Sequence, residues 1–261
     1  MESKTLIVYH RCGGKTLGYP PNTLLTAQWA MNSGSQAIEY DVAIAKDGDK
    51  FQVFAIEPKL ITEAGLDIDN LVWSDVQKIN AGNEKFGHQP VSTLEEMLVG
   101  VNSDKVAHQI QIKGQHPETV REVLNRTKDV KDCIITAFDI GVIKQIKESN
   151  KDTRVGWLVK PEQESGDEAG VDLTAKLVAE ADNLQEYTDE EISNILSTAR
   201  ENMIDIVLLC GPRIKNSQLV DTVKESGFQI GAWGVAMNLT LAERLIELNL
   251  DRFTIDNPEQ L

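Results

Sequence analysis

The strongest constraint on the fold is a regular alternation of short apolar strands and helical segments along the 261-residue chain. The first unit shows the pattern. Residues 5–9 form a β-rich apolar run, Asn22 can cap a helix that ends before Gly34, and a strand starting at Ala37 follows. This order is typical of a parallel βαβ unit, whose strands are buried on both faces.

Eight predicted strands alternate with helices once residues 51–56 are set aside as part of an insertion. We expect strands near residues 5–9, 37–45, 108–113, 133–138, 154–159, 204–210, 229–235 and 252–255, and helices near 22–32, 92–99, 117–127, 140–149, 171–180, 188–202, 216–226 and 239–249. Capping-box patterns at Ser92-x-x-Glu95 and Thr188-x-x-Glu191 indicate two of the helix starts. The pattern predicts an α/β fold, a (β/α)₈ TIM barrel, as one domain over residues 1–261 with a small insertion at about 49–90.

A doubly wound open sheet is the structural alternative. Such sheets carry a glycine-rich phosphate fingerprint after the first strand. Here the loop after residues 5–9 reads C-G-G-K, and the complete P-loop pattern G-x-x-x-x-G-K-[ST] does not occur. The barrel is therefore favoured.

The charge balance restricts the partners. Lys and Arg number 26 against 41 Asp and Glu, so the formal net charge is −15. This argues against general nucleic-acid binding and against docking on anionic membranes, and an anionic substrate would need a local positive site. The sequence shows no secretory leader, no apolar run long enough to span a membrane and no disulfide framework, so we expect a cytoplasmic protein.

A pair of carboxylates lies on the second predicted strand. Glu39 and Asp41 are two residues apart, so both project from one face of the strand and repel each other. Such a pair is kept where water or a cation screens the repulsion. The spacing alone leaves two interpretations open: a cation site, or the solvated face of an edge strand.

Other polar residues stand where barrel strands end. His10 and Arg11 follow the first strand, Gln111 and Lys113 end the third, and Trp233 ends the seventh. Because the strand ends of a barrel meet at one mouth, these side chains should converge with the carboxylate pair. Arg and Lys bind phosphate, carboxylates hold a hard cation and His moves a proton, a set that suits phosphate-ester chemistry. Trp233 could stack on a substrate or pack in the core.

At this point the chain resembles the glycerophosphodiester phosphodiesterases. The motifs that carry the resemblance are His10-Arg11-Cys12, Pro20-Pro21-Asn22-Thr23-Leu24, Glu39-Tyr40-Asp41-Val42 with Lys46-Asp47-Gly48, Ser92-Thr93-Leu94-Glu95-Glu96, Gln111-Ile112-Lys113, Trp233-Gly234-Val235 and Thr254-Ile255-Asp256-Asn257-Pro258. Their order and spacing cover nearly the whole chain.

The resemblance implies a barrel that hydrolyses small glycerophosphodiesters to glycerol phosphate and an alcohol, as part of lipid metabolism. It implies that a divalent cation, Mg²⁺ or Ca²⁺, is held by Glu39, Asp41 and the residue at the Gln111 position. It also implies that His10 is one of two acid/base histidines, and that Arg11 and Lys113 bind phosphate.

The chain departs from the family pattern at two positions that the pattern assigns to proton transfer and metal binding. The second histidine is expected near residues 54–56 and is absent, and Gln111 replaces the third carboxylate ligand. An amide oxygen still binds a hard cation but carries no charge, so we expect weak metal binding. Three functions stay open: a divergent, slow phosphodiesterase, a barrel that binds a phosphodiester or phosphate without efficient turnover, or another phosphoryl-transfer chemistry such as cyclising cleavage of a phospholipid head group. His116 could replace the missing group or be a surface residue.

Overall fold

The computed structural model describes residues 5–101, 104–160 and 184–261. Its strands are β1 (Leu6–Tyr9), β2 (Ala37–Asp47), β3 (Lys50–Ala55), β4 (Ser92–Thr93), β5 (Ala107–Ile112), β6 (Cys133–Ala137), β7 (Val155–Leu158), β8 (Ile206–Cys210), β9 (Gln229–Trp233) and β10 (Arg252–Ile255). Parallel pairing runs β1-β10-β9-β8-β7-β6-β5-β2, and β1 also pairs with β2, so the sheet closes on itself. The predicted (β/α)₈ barrel is confirmed.

Helices separate the barrel strands. Within the described ranges they are α1 (Leu24–Asn32), α2 (Pro58–Glu63), α3 (Trp73–Val76), α4 (Leu94–Gly100), α5 (Thr119–Thr127), α6 (Ile140–Ser149), α7 (Asp189–Glu201), α8 (Ser217–Glu225) and α9 (Leu239–Glu247). The helix predicted near 171–180 lies outside the described residues. The capping box at Thr188 and Glu191 is confirmed. The other is wrong by one residue: Thr93 and Glu96 form it, because α4 begins at Leu94 and Thr93 is therefore its N-cap.

The strand β2 has two parts with different neighbours. Residues 37–42 pair with β5 inside the barrel, and residues 42–47 pair with the antiparallel strand β3. The segment 51–56 therefore lies outside the barrel, as predicted. It belongs to an insertion with its own core, in which Phe54 and Ile56 pack with Trp73 and other apolar side chains. β2 thus joins the barrel to this insertion.

The two faces of β5 have different surroundings. Gln109 and Gln111 stand beside Glu39 and Asp41 in register and belong to the barrel interior. His108 points the other way, is 1% exposed and has its Nδ1 3.1 Å from the hydroxyl of Tyr40. Burial lowers the pKa of His108 to about 4. The folded protein therefore holds this histidine neutral.

We predict that His108 makes the fold sensitive to acid. Its pKa is lower in the folded than in the unfolded chain, so the stabilisation is complete above pH 6.5 and is lost as the pH falls towards about 4. The loss should be at most about 3 kcal/mol. In urea titrations between pH 7.5 and 4.5, His108→Gln should flatten this part of the pH dependence, while the exposed His88→Gln should not. An unchanged slope in His108→Gln would contradict the prediction.

Candidate active site

A tight turn after β1 places His10 and Arg11. Arg11 and Cys12 have positive φ angles of 50° and 70°, in the left-handed region that non-glycine residues rarely adopt. This turn aims the backbone N–H of Arg11 at Glu39, whose Oε2 accepts it at 2.8 Å. Cys12 is buried, and burial raises the pKa of its thiol well above the ordinary value, so it stays protonated and is a poor nucleophile.

His10 is oriented by an aspartate from the opposite end of the chain. Its Nδ1 lies 2.5 Å from Asp256 Oδ1, and Lys15 Nζ donates to Asp256 Oδ2 at 2.9 Å. The Nε2 atom lies 4.0 Å from Glu39 Oε2. Burial lowers the pKa of His10, but Asp256 and then Glu39 outweigh burial, and the net pKa is raised. The imidazole is therefore held with Nε2 towards the carboxylate pair and tends to be protonated.

The carboxylate pair is buried in the mouth of the barrel. Glu39 and Asp41 are each 1% exposed, so the interpretation as the solvated face of an edge strand is wrong. Asp41 Oδ1 lies 3.3 Å from Lys113 Nζ, and its Oδ2 lies 3.4 Å from Arg11 Nε and accepts from Asn22 Nδ2 at 3.2 Å. Burial alone would raise the pKa of Asp41, but Lys113 and then Arg11 hold it below its ordinary value.

Glu39 has one oxygen left over. Its Oε1 is buried and has no hydrogen-bond partner among the residues described. Burial and then the charge of Asp41 raise the pKa of Glu39 to about 7. A buried oxygen without a partner, next to a second carboxylate, is costly unless a cation satisfies both.

Gln111 completes a set of oxygen donors that fits a divalent cation. It is 7% exposed and pairs in register with Asp41 on the neighbouring strand. No cluster of three or more His, Cys, Asp or Glu suited to a metal ion occurs in the described ranges. With two carboxylates and one amide, the site fits a hard cation but offers less charge than three carboxylates.

Sequence reasoning missed Glu57. Arg11 Nη1 donates to Glu57 Oε2 at 2.5 Å, which brings a further carboxylate to the site. Phe54 and Ile56, where a histidine was sought, are instead buried in the core of the insertion. A histidine at either position would replace an apolar side chain of that core.

His116 and Trp233 have other partners. His116 Nδ1 accepts from the backbone N–H of Glu118 at 3.2 Å, and its ring lies 5.1 Å from that of Phe51, beside α5. Trp233 is 5% exposed, its Nε1 donates to Val159 O at 3.2 Å, and its ring meets Phe138 edge-on at 5.0 Å. These contacts make packing the main role of Trp233, and its stacking on a substrate stays a prediction.

Comparison with known proteins decides the family. The sequence profile of the glycerophosphoryl diester phosphodiesterase family matches residues 10–260. The chain belongs to this family. Among curated relatives of this family, a glycerophosphodiester phosphodiesterase from Caldanaerobacter subterraneus is 24% identical over 164 residues, which cover 59% of this chain and 67% of the relative.

Solved structures of other phosphodiesterases share the fold. A phosphodiesterase from Oleispira antarctica, solved in complex with the product sn-glycerol-3-phosphate, has a TM-score of 0.74 and 15% identity, covering 98% of this chain and 95% of its own. A glycerophosphodiester phosphodiesterase from Thermotoga maritima has a TM-score of 0.69 and 22% identity, covering 98% and 96%. No helix among the described residues has the length and apolar character needed to cross a membrane.

We predict that Gln111→Glu tightens cation binding. A third carboxylate would add negative charge beside Glu39 and Asp41, so the Kd for Ca²⁺ or Mg²⁺ should fall about tenfold in isothermal titration calorimetry. Gln229→Glu, an exposed change at the start of β9, is the matched control and should leave the Kd unchanged. Equal affinities in the wild type and Gln111→Glu would show that Gln111 is not a ligand.

Proposed function

We propose that this family member is a metal-dependent hydrolase that cleaves glycerophosphodiesters to glycerol phosphate and an alcohol. The observation that carries the proposal is the position of His10. Asp256 fixes its Nδ1 at 2.5 Å, while Nε2 faces the Glu39 and Asp41 pair in a mouth that also contains Arg11 and Lys113. A proton donor, an anion-binding pair and a cation site therefore share one opening.

Glu39, Asp41 and Gln111 are the residues that would hold Mg²⁺ or Ca²⁺. Bound there, the cation would neutralise part of the phosphate charge and polarise its oxygens. The oxygen donors and the unpartnered Oε1 of Glu39 support this assignment. The expected affinity is low, because Gln111 contributes no charge.

Arg11 and Lys113 would bind the phosphate. Both are already fixed by Asp41, at 3.4 Å and 3.3 Å, so little side-chain freedom is lost when an anion arrives. Among the described residues, the charged groups joined by ion pairs in the mouth are His10, Arg11, Lys15 and Lys113 against Glu39, Asp41, Glu57 and Asp256. This near balance, with a cation added, gives the local positive site that an anionic substrate needs in a chain of net charge −15.

His10 would act as the general acid. Burial lowers the pKa of His10 but Asp256 and Glu39 raise it, so the net pKa is raised and the imidazole is more readily protonated than an exposed one; as an imidazolium it can donate the Nε2 proton to the oxygen of the departing alcohol. Asp256 keeps the Nδ1–H pointing away from the substrate. The ligand class follows from the family: a glycerol phosphate esterified to a small alcohol.

Binding without turnover is the second candidate. The observation that favours it is the replacement of the expected second histidine by a buried apolar segment, since loss of one acid/base group costs about 10²–10⁴ in rate. Phosphate contacts through Arg11 and Lys113 would remain. The two candidates differ in whether glycerol phosphate is only bound or is also formed.

We predict slow hydrolysis of glycerophosphocholine or glycerophosphoethanolamine that depends on His10. His10→Ala should lower kcat by about 10²–10⁴ because the proton donor is gone. Arg11→Ala should mainly raise KM through lost phosphate contacts. Release of glycerol phosphate, followed by a coupled dehydrogenase assay, measures both.

The exposed His88→Ala is the control and should be neutral. Rapid turnover that survives His10→Ala would show that other residues catalyse the reaction. Calorimetric binding of glycerol phosphate without any turnover would favour the second candidate.

A further inference from the structure

Glu57 is a polar residue of the mouth to which the proposed function gives no role. It directly follows the segment in which the second histidine was sought. Along that segment Val53 and Ala55 belong to the main core, while Phe54 and Ile56 belong to the core of the insertion. β3 ends at Ala55, so Glu57 lies just past the strand, in extended backbone at the N-cap of α2.

Backbone and side-chain contacts fix Glu57 near the carboxylate pair. The N–H of Ile56 donates to Asp41 O at 3.1 Å, which ties this segment to β2. Glu57 Oε2 accepts from Arg11 Nη1 at 2.5 Å, and the same guanidinium has its Nε 3.4 Å from Asp41 Oδ2. Glu57 therefore shares with Asp41 the arginine proposed to bind the phosphate.

Exposure separates Glu57 from the other carboxylates of the mouth. The side chains of Glu39 and Asp41 are 1% exposed and that of Asp256 is 5% exposed and bonded to His10 and Lys15. The Glu57 side chain is 14% exposed. Of these four, it is the carboxylate that water at the mouth reaches most easily.

Geometry distinguishes the roles of Glu57 and His10. The groups that face Glu57 are Arg11, Asp41, His10 and Lys113. Burial raises the pKa of Glu57 and Arg11, in direct contact, opposes this rise, so the net pKa is raised and the carboxylate is more basic than an exposed one. His10 has its Nδ1 held by Asp256 and presents Nε2 to the mouth, so it is placed to donate a proton, whereas the more exposed carboxylate of Glu57 is placed to accept one from water.

We propose that Glu57 is the general base of this site and takes the place of the absent histidine, an inference that rests on the proposed hydrolytic function. As the oxygen of a water molecule bonds to phosphorus, Glu57 accepts the proton of that water. The bond between phosphorus and the alcohol oxygen breaks with its electron pair on oxygen, and that oxygen takes the Nε2 proton of His10. After the reaction both Glu57 and His10 are neutral. Transfer of one proton from Glu57 to His10 through solvent then restores the starting protonation states.

The test compares variants of the full-length protein on glycerophosphocholine. Glu57→Gln keeps an oxygen that can accept from Arg11 but is not a base, so kcat should fall about 10²–10⁴-fold with KM within about threefold. Glu57→Asp should retain part of the activity, and formate should restore part of it to Glu57→Ala. Glu63→Gln, at the exposed end of α2, is the matched control and should be neutral. Thermal unfolding checks that each variant is folded.

Each other outcome overturns the inference in a distinct way. A raised KM with unchanged kcat in Glu57→Gln would mean that Glu57 only positions Arg11. Full activity of Glu57→Gln, with loss in His10→Ala, would leave the hydrolytic function intact and remove Glu57 from it. If the wild type binds glycerol phosphate in calorimetry but releases none from glycerophosphocholine, both the assignment of Glu57 as general base and the proposed hydrolytic function are refuted. If it neither binds nor hydrolyses, the site assignment itself is wrong.

Discussion

Two carboxylates buried side by side are the constraint on which the rest of the site depends. Glu39 and Asp41 are each 1% exposed, and burial and mutual repulsion both oppose their ionisation. The surrounding residues offset this energetic cost. Arg11, in a strained left-handed backbone conformation, and Lys113, which follows β5, supply positive charge, and Asn22 forms two hydrogen bonds with Asp41. Within the described ranges one oxygen of Glu39 has no hydrogen-bond partner, which is where a cation would contribute most.

The sequence was sufficient for the architecture and for one side of the site. Strand alternation predicted the barrel, and the two-residue spacing placed Glu39 and Asp41 on one face. The partner of His10 could not be found this way, because Asp256 follows β10 and meets His10 only after β1 pairs with β10. The sequence motif that contains Asp256 is recognisable, but no local pattern in it indicates the contact with His10.

Glu57 could not be identified as a site residue from the sequence, for a different reason. The motif predicts a histidine near residues 54–56, whereas the contact of Glu57 with Arg11 depends on how the chain turns after β3, which is visible only in the structure. The same limit explains the shifted helix start at Thr93: Ser92 fits the capping pattern equally well, and only the start of α4 at Leu94 decides between them.

The closure of the barrel by β10 has a consequence for how the chain folds and for its sensitivity to proteolysis. The parallel pairing of β1 with β10 joins the first and the last strands, and it is this pairing that brings Asp256 to His10. A chain still being synthesised can fold most of its βα units but cannot orient the imidazole until β10 has docked. Any catalytic competence would then arise in a single late event, and a proteolytic cut that freed β10 would separate Asp256 from His10 without touching the pairing of β2 with β5.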